Sequence, residues 1–192
     1  MGSEMCIRDS DGRLTIYFDP ESAFNDSVVG ISPASGIPPY ASQLNQLTVG
    51  SESWGVEWVS WHENQFIIAE CQYNLGQEQA SLATLNNILL NLEQRWQALA
   101  PDCQLPRYVD INGTELIAAI MNEKYKAMFL IMQTMSDWRR TGYPVFEDRN
   151  GNSTECETGT PRRLLYPELE KKTNSNVPSG DSIFDRVEND PI

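Results

Sequence analysis

The sequence predicts a mainly α protein: a helical hairpin and a long helix, with extensive ordered loops and minor β. Apolar residues recur at helical spacing from 60 to 99 and again from 112 to 140. Proline, glycine and polar clusters mark the stretches between and around these segments as loops. With 192 residues the chain can bury one domain core.

Taken in order, Leu14-Thr-Ile-Tyr-Phe18 is a short β-prone run stopped by Asp19-Pro20. Three prolines in 30–40 (GISPASGIPPY) forbid a regular helix there, so a long ordered loop with a minor strand pairing is expected. Ser60 and Glu63 have the spacing of a capping box at the start of a helix over 60–75. Its predicted apolar stripe is Trp61, Ile68, Cys71 and Leu75, widened by Phe66, Ile67 and Tyr73. Gly76 fits the position that ends the helix. A second helix follows from Glu78 to Leu99, with Leu82, Leu85, Leu89, Leu92 and Trp96 on one face. The short link makes the two an antiparallel αα-hairpin, the unit of tetratricopeptide-like arrays. Residues 101–106 are a loop. One long helix is then predicted from about Asn112 to Arg140, apolar around much of its circumference and central to the core. Arg139 and Arg140 suit its carbonyl end, Gly142 its termination, and Pro144 prevents its continuation. The remainder is loop-dominated.

A net charge of −13 and the lack of a Lys/Arg run argue against nucleic acid as a partner. No stretch approaches the roughly 18 apolar residues of a membrane-spanning helix. The start has no signal-peptide pattern. However, residues 1–10 (MGSEMCIRDS) resemble a translated sequencing-library adapter and are set aside, so the natural chain is expected to continue upstream. Residues 11–192 are read as the C-terminal part of one helical domain.

Three ordered segments resemble the SusD/RagB family, especially its SusD-like subgroup. They are Trp61-His-Glu-Asn-Gln-Phe-Ile-Ile-Ala-Glu70, then Glu123-Lys-Tyr-Lys-Ala-Met-Phe129 with Asp137-Trp-Arg-Arg-Thr-Gly-Tyr-Pro144, and finally Thr160-Pro-Arg-Arg-Leu-Leu-Tyr-Pro167. The residues carrying the family pattern are Trp138, Arg139, Arg140, Gly142, Tyr143, Pro144, Arg162, Arg163, Tyr166 and Pro167. The resemblance implies a non-catalytic outer-membrane lipoprotein. Such a protein binds oligosaccharide or another nutrient at the cell surface and passes it to a TonB-dependent, SusC-like transporter. It also implies that the signal, the lipidated cysteine and most repeats lie upstream of this sequence.

From the residues themselves, Tyr40, Trp54, Trp58 and Glu57 offer flat aromatic faces and a carboxylate for a sugar. The commoner use of such tryptophans is to fill the groove between loop and helix pair. The arginines at 139, 140, 162 and 163 can bind an acidic ligand, or pair with Glu63, Glu70 or Glu123 to tie the C-terminal segment to the helices. The structural role is the favoured one. His62, the lone histidine, is expected at a solvent-facing or capped position. Cys71 is expected to be a buried thiol, and Cys103 and Cys156 are left open as a disulfide pair. No metal, cofactor or catalytic signature is present. An intracellular helical scaffold and a glycoside hydrolase are the alternative readings; the second rests only on carboxylate abundance.

Overall fold

The computed structural model describes residues 11–22, 41–55, 57–146, 162–178, 180, 182 and 184–186. Of the predicted capping box, the Ser60 half forms. Ser60 Oγ accepts from the Glu63 N–H at 2.9 Å, and helix α2 runs Trp61–Asn74. Gly76 ends it with φ 74°, in the left-handed region that glycine enters without a Cβ penalty. Helix α3, Glu78–Gln97, returns antiparallel to α2. The direction is visible in the cross-links: Ser81 Oγ donates to the Ala69 carbonyl, Thr84 Oγ1 to Gln72, and His62 Nε2 meets Asn91 at 3.0 Å. As residue numbers rise on one helix they fall on the other.

These contacts rotate the buried face of α2 away from the predicted central stripe, keeping Phe66, and Tyr73 at the margin, from the residues expected to widen it. His62, Phe66, Ala69 and Glu70 are buried, while Trp61, Ile68, Cys71 and Leu75 are exposed. The prediction weighted large apolar side chains. The interface is set by small ones, because Ala69 and Ser81 let the two backbones approach closely enough for a side-chain to carbonyl bond. The expected positions of His62 and Cys71 are therefore exchanged: the histidine is buried and the thiol is exposed. The face of α3 is as predicted, with Leu85, Leu89, Leu92 and Trp96 buried and Leu82 packed at the margin.

The predicted long helix is two helices. Helix α4, Gly113–Ala127, packs on both α2 and α3 and is the central element of the core. Leu116 and Ile120 within it are fully buried beside Phe66, Leu85, Ile88 and Leu89, and each such side chain is worth about 1.5–3 kcal/mol. The chain then turns over 128–132, where Leu130 adopts φ 66°, and α5 spans Gln133–Thr141. A continuous helix would hold residues 124 and 137 about 20 Å apart at 1.5 Å per residue. Instead Lys124 Nζ lies 2.6 Å from Asp137. No glycine or proline announces the turn. The break is accompanied by Phe129 stacking on Tyr17 at 4.6 Å, which puts an aromatic contact where a polar loop residue would be ordinary.

The β-prone run also departs from expectation. Leu14–Tyr17 form a single helical turn, α1, and among the described residues the strand pairing is an isolated Phe18–Leu44 bridge; the loop expected over 30–40 lies outside the described residues. Strand alternation would put Tyr17 on the face opposite Ile16 and Phe18, yet all three are buried with Leu14. The helical turn allows this, and Asp11 starts it by accepting from the Arg13 N–H at 3.0 Å. Gly12 is required for a different reason: a Cβ there would sit 2.6 Å from the Gln104 carbonyl oxygen.

Arg13 fixes α1 to α4. Its Nε and Nη2 fork onto Asp11 at 2.8 Å, and Nη2 also meets Glu123 Oε2 at 2.8 Å. Glu123 Oε1 accepts from Tyr108 Oη at 3.0 Å and from Lys126 Nζ at 3.1 Å. Both Arg13 and Glu123 have no exposed side-chain surface. Burial alone would raise the Asp11 pKa, but the Arg13 hydrogen bond and charge, aided by Lys126, hold it below the usual range. Burial and the neighbouring Glu123 push the Tyr108 phenol up. The loop between α3 and α4 is pinned by Asn86, which exchanges two hydrogen bonds with the Tyr108 backbone, and by Glu93, which accepts from the Leu105 N–H. A short C-terminal helix, α6, covers Glu168–Thr173.

Three outcomes follow for stability. Arg13→Met strands buried carboxylates and is expected to cost about 3 kcal/mol or more in denaturant unfolding. Adding Glu123→Leu should recover part of that loss, and a double variant as weak as the sum of the singles would refute the coupling. Leu130→Gly should stabilise by about 0.5–1 kcal/mol, because the relief of left-handed strain exceeds the added chain entropy. For His62, burial is the largest effect and, with Arg95, depresses the pKa below 6.5 against the Asn91 hydrogen bond and Glu57. The unfolded chain thus takes up the proton more readily. Stability is full above about pH 6.5 and declines as pH falls through the lower folded value. Thermal melts between pH 7.5 and 5.5 should show this slope, and His62→Gln should flatten it.

Candidate functional site

The segment preceding α2 and the last turns of α3 together enclose an aromatic cleft. Trp54 stacks on Trp96 with ring centroids 6.1 Å apart and planes 14° from parallel. Trp96 is buried and also meets Tyr17 edge-on at 6.2 Å, and Tyr17 is stacked on Phe129. This run of rings places Trp54 at the rim of the core. Beside it lies a cavity of about 180 Å³ lined by Trp54, Glu57, His62, Arg95, Trp96 and Phe129. Glu57 Oε1 accepts from Arg95 Nη2 at 2.9 Å, in an ion pair nearly half exposed on both sides. Such a pair is worth little to stability, but it holds a carboxylate and a guanidinium at the mouth of an aromatic pocket. Chemically, the cleft offers indole faces for C–H groups and charged donors and acceptors for hydroxyls.

Of the residues named from sequence, the structure brings Trp54 and Glu57 together in this cleft. Trp58 adjoins Glu57 in the chain and is 93% exposed. Tyr40 lies outside the described residues. Sequence reasoning missed the α3 contribution: Trp96 carried only a core signal, and Arg95, a solvent-side residue of the last turn, carried none. His62 lines the cleft because α2 presents its other face, an outcome the apolar stripe could not reveal.

The arginine-rich motif has a separate geometry. Arg140 forks onto the two oxygens of Glu70, and its Nη2 also donates to Asp137 at 2.7 Å. The Glu70 hydrogen bond is the leading cause that raises the Arg140 pKa, against burial, and Asp137 adds to it. With Lys124 on Asp137, this network joins α2, α4 and α5. Glu70 is thus the arginine partner foreseen, whereas Glu123 serves Arg13, and the Glu63 backbone N–H serves the cap of α2. Trp138 is buried, and the Arg162 guanidinium lies over its ring at 4.8 Å. Arg139 Nη1 donates to the Arg162 carbonyl at 3.3 Å. Gly142 ends α5 with φ 75°, Tyr143 packs against the core, and Pro144 is buried after a cis bond. Arg163 lies 5.9 Å over Tyr166, and Pro167 precedes the first residue of α6.

Cys103 is buried and unbridged, and burial raises its thiol pKa. Cys156 and residues 1–10 lie outside the described residues. Among the described residues, no group of three or more His, Cys, Asp or Glu side chains is placed to hold a metal ion. Likewise, no described helix is long and apolar enough to cross a membrane.

Comparison with known proteins agrees with this architecture. Residues 4–167 match the SusD-like family described as starch-binding associating with outer membrane. No curated protein and no solved structure matches the chain. The match spans most of the sequence, including the α2 segment, the Trp138–Pro144 motif and the return through Tyr166-Pro167, and the chain therefore belongs to the SusD-like family.

Proposed function

We propose that this protein binds a neutral oligosaccharide of the starch type, without catalysis, at the cell surface, and passes it to a TonB-dependent, SusC-like transporter. In this reading it works as a RagB-like lipoprotein whose lipid anchor holds it to the outer membrane. The observation that carries the binding step is the Trp54–Trp96 stack above a cavity with the Glu57–Arg95 pair at its mouth. An α-glucan presents alternating C–H faces and hydroxyl rims. The C–H face packs on Trp54, and the exposed ring of Trp58, which follows Glu57 in the chain, offers a second surface, while hydroxyls exchange water for Glu57 and Arg95. Family membership supports the ligand class, since the family is described as starch-binding. It gives no support to an intracellular scaffold.

The role of the protein ends at binding. Release into a transporter needs only that affinity be moderate, and open ion pairs and half-exposed rings give moderate affinity, because little surface is fully desolvated.

Titration calorimetry with maltohexaose is the direct measurement. Trp58→Ala removes a ring that is 93% exposed, so the melting temperature should stay unchanged while affinity falls about tenfold, or 1.4 kcal/mol. Trp54→Ala should weaken binding further and also lower stability through the lost Trp96 contact. The sugar should be recovered uncut. Absence of maltohexaose binding, or wild-type affinity in both variants, would reject the site.

A further inference from the structure

The α5 helix and the segment 163–166 border an open groove of about 540 Å³. Gln133, Ser136 and Arg139 line one wall, and Arg163, Leu164 and Tyr166 the other. The groove shares no lining residue with the Trp54 cleft, and its volume lies in the ordinary range for small-molecule sites. In a chain of net charge −13, no carboxylate stands among these described lining residues.

Arg139 is the informative side chain. Arg13, Arg95, Arg107 and Arg140 each meet a carboxylate. Arg139 meets none among the described residues, and its one hydrogen bond, to the Arg162 carbonyl, fixes it without neutralising it. A guanidinium held in place, half-buried, with charge and donors to spare is fitted to a planar oxyanion, which it can grip with two parallel hydrogen bonds. Beside it stand an aromatic face at Tyr166, an apolar surface at Leu164, and the amide and hydroxyl of Gln133 and Ser136. That combination suits a ring that carries one carboxylate and several hydroxyls.

We propose that this groove binds a sugar acid, with the carboxylate of a hexuronate unit on Arg139, its ring against Tyr166 and Leu164, and its hydroxyls on Gln133 and Ser136. The acidic part of the assignment stands on Arg139. The saccharide part rests on the oligosaccharide-binding reading given above.

The test is calorimetric titration of the intact chain with trigalacturonate and, separately, with maltotriose, each variant being checked by its thermal melt. Trigalacturonate should bind the wild type. Arg139→Gln should weaken it about tenfold or more, the scale for loss of hydrogen bonds to a charged group. Arg139→Lys, which keeps the charge and loses the fork, should fall several-fold, and Trp54→Ala should leave trigalacturonate affinity unchanged. No binding of trigalacturonate to the wild type overturns the proposal, as does wild-type affinity in folded Arg139→Gln. If that variant does not fold, Arg139→Lys decides, and unchanged affinity there overturns the bidentate site. A glutamate-rich peptide that binds as tightly as trigalacturonate overturns the saccharide assignment. Maltotriose reports separately on the Trp54 cleft, so either site can fail while the other stands.

Discussion

The buried pairing of Arg13 with Glu123 is the constraint on which the architecture turns. Two charges with no exposed surface persist only if most of their hydrogen-bonding capacity is filled, and of the Arg13 nitrogens Nη1 is the one left without a partner among the described residues. Filling it recruits Asp11, Lys126 and Tyr108, which come from the N-terminal turn, the end of α4 and the α3–α4 loop. Once that requirement is met, α1 has little freedom. Leu14, Ile16 and Tyr17 are carried into the core as a helical turn, overriding the β preference of their side chains.

The aromatic cleft inherits its shape from the same constraint. Tyr17, set by α1, donates its hydroxyl to the Lys126 carbonyl and stacks on Phe129, just past the end of α4. Trp96 leans on Tyr17, and Trp54 on Trp96. An ionic cluster thus positions a chain of rings that ends in the partly exposed indole of Trp54. The second ionic network, Glu70–Arg140–Asp137–Lys124, performs the matching task from the neighbouring α4 residue, Lys124. It holds α5 against α2, and so sets the wall that carries Arg139. Each candidate site borders an ion network that is mostly withdrawn from water, where side chains are held firmly enough to present a defined shape.

Legibility in the sequence followed how local each cause was. The α2 start needed only Ser60 and Glu63, three residues apart; the α5 end needed only Gly142; the α3 face was a single leucine stripe. All three are found where the spacing places them. The α2 face was misread because its packing partner, Ser81 on α3, favours a small residue opposite, and periodicity of large apolar residues does not register that. The α4–α5 break was invisible because Leu130 is neither glycine nor proline and takes a left-handed conformation within a turn bordered by Phe129 and the Lys124–Asp137 pair.

By itself, then, the sequence determined the mainly helical class, the hairpin, the ends of its helices and, through ordered motifs, the SusD-like family. These are properties of residues close together in the chain, where capping, helical period and backbone preference act. Tertiary structure alone decided which face of α2 is buried, where the long helix breaks, which carboxylate each arginine meets, and which tryptophan reaches the cleft. Those outcomes depend on pairs such as Arg13 and Glu123, 110 residues apart. Burial makes an unmatched charge costly, and only the folded chain can supply its partner.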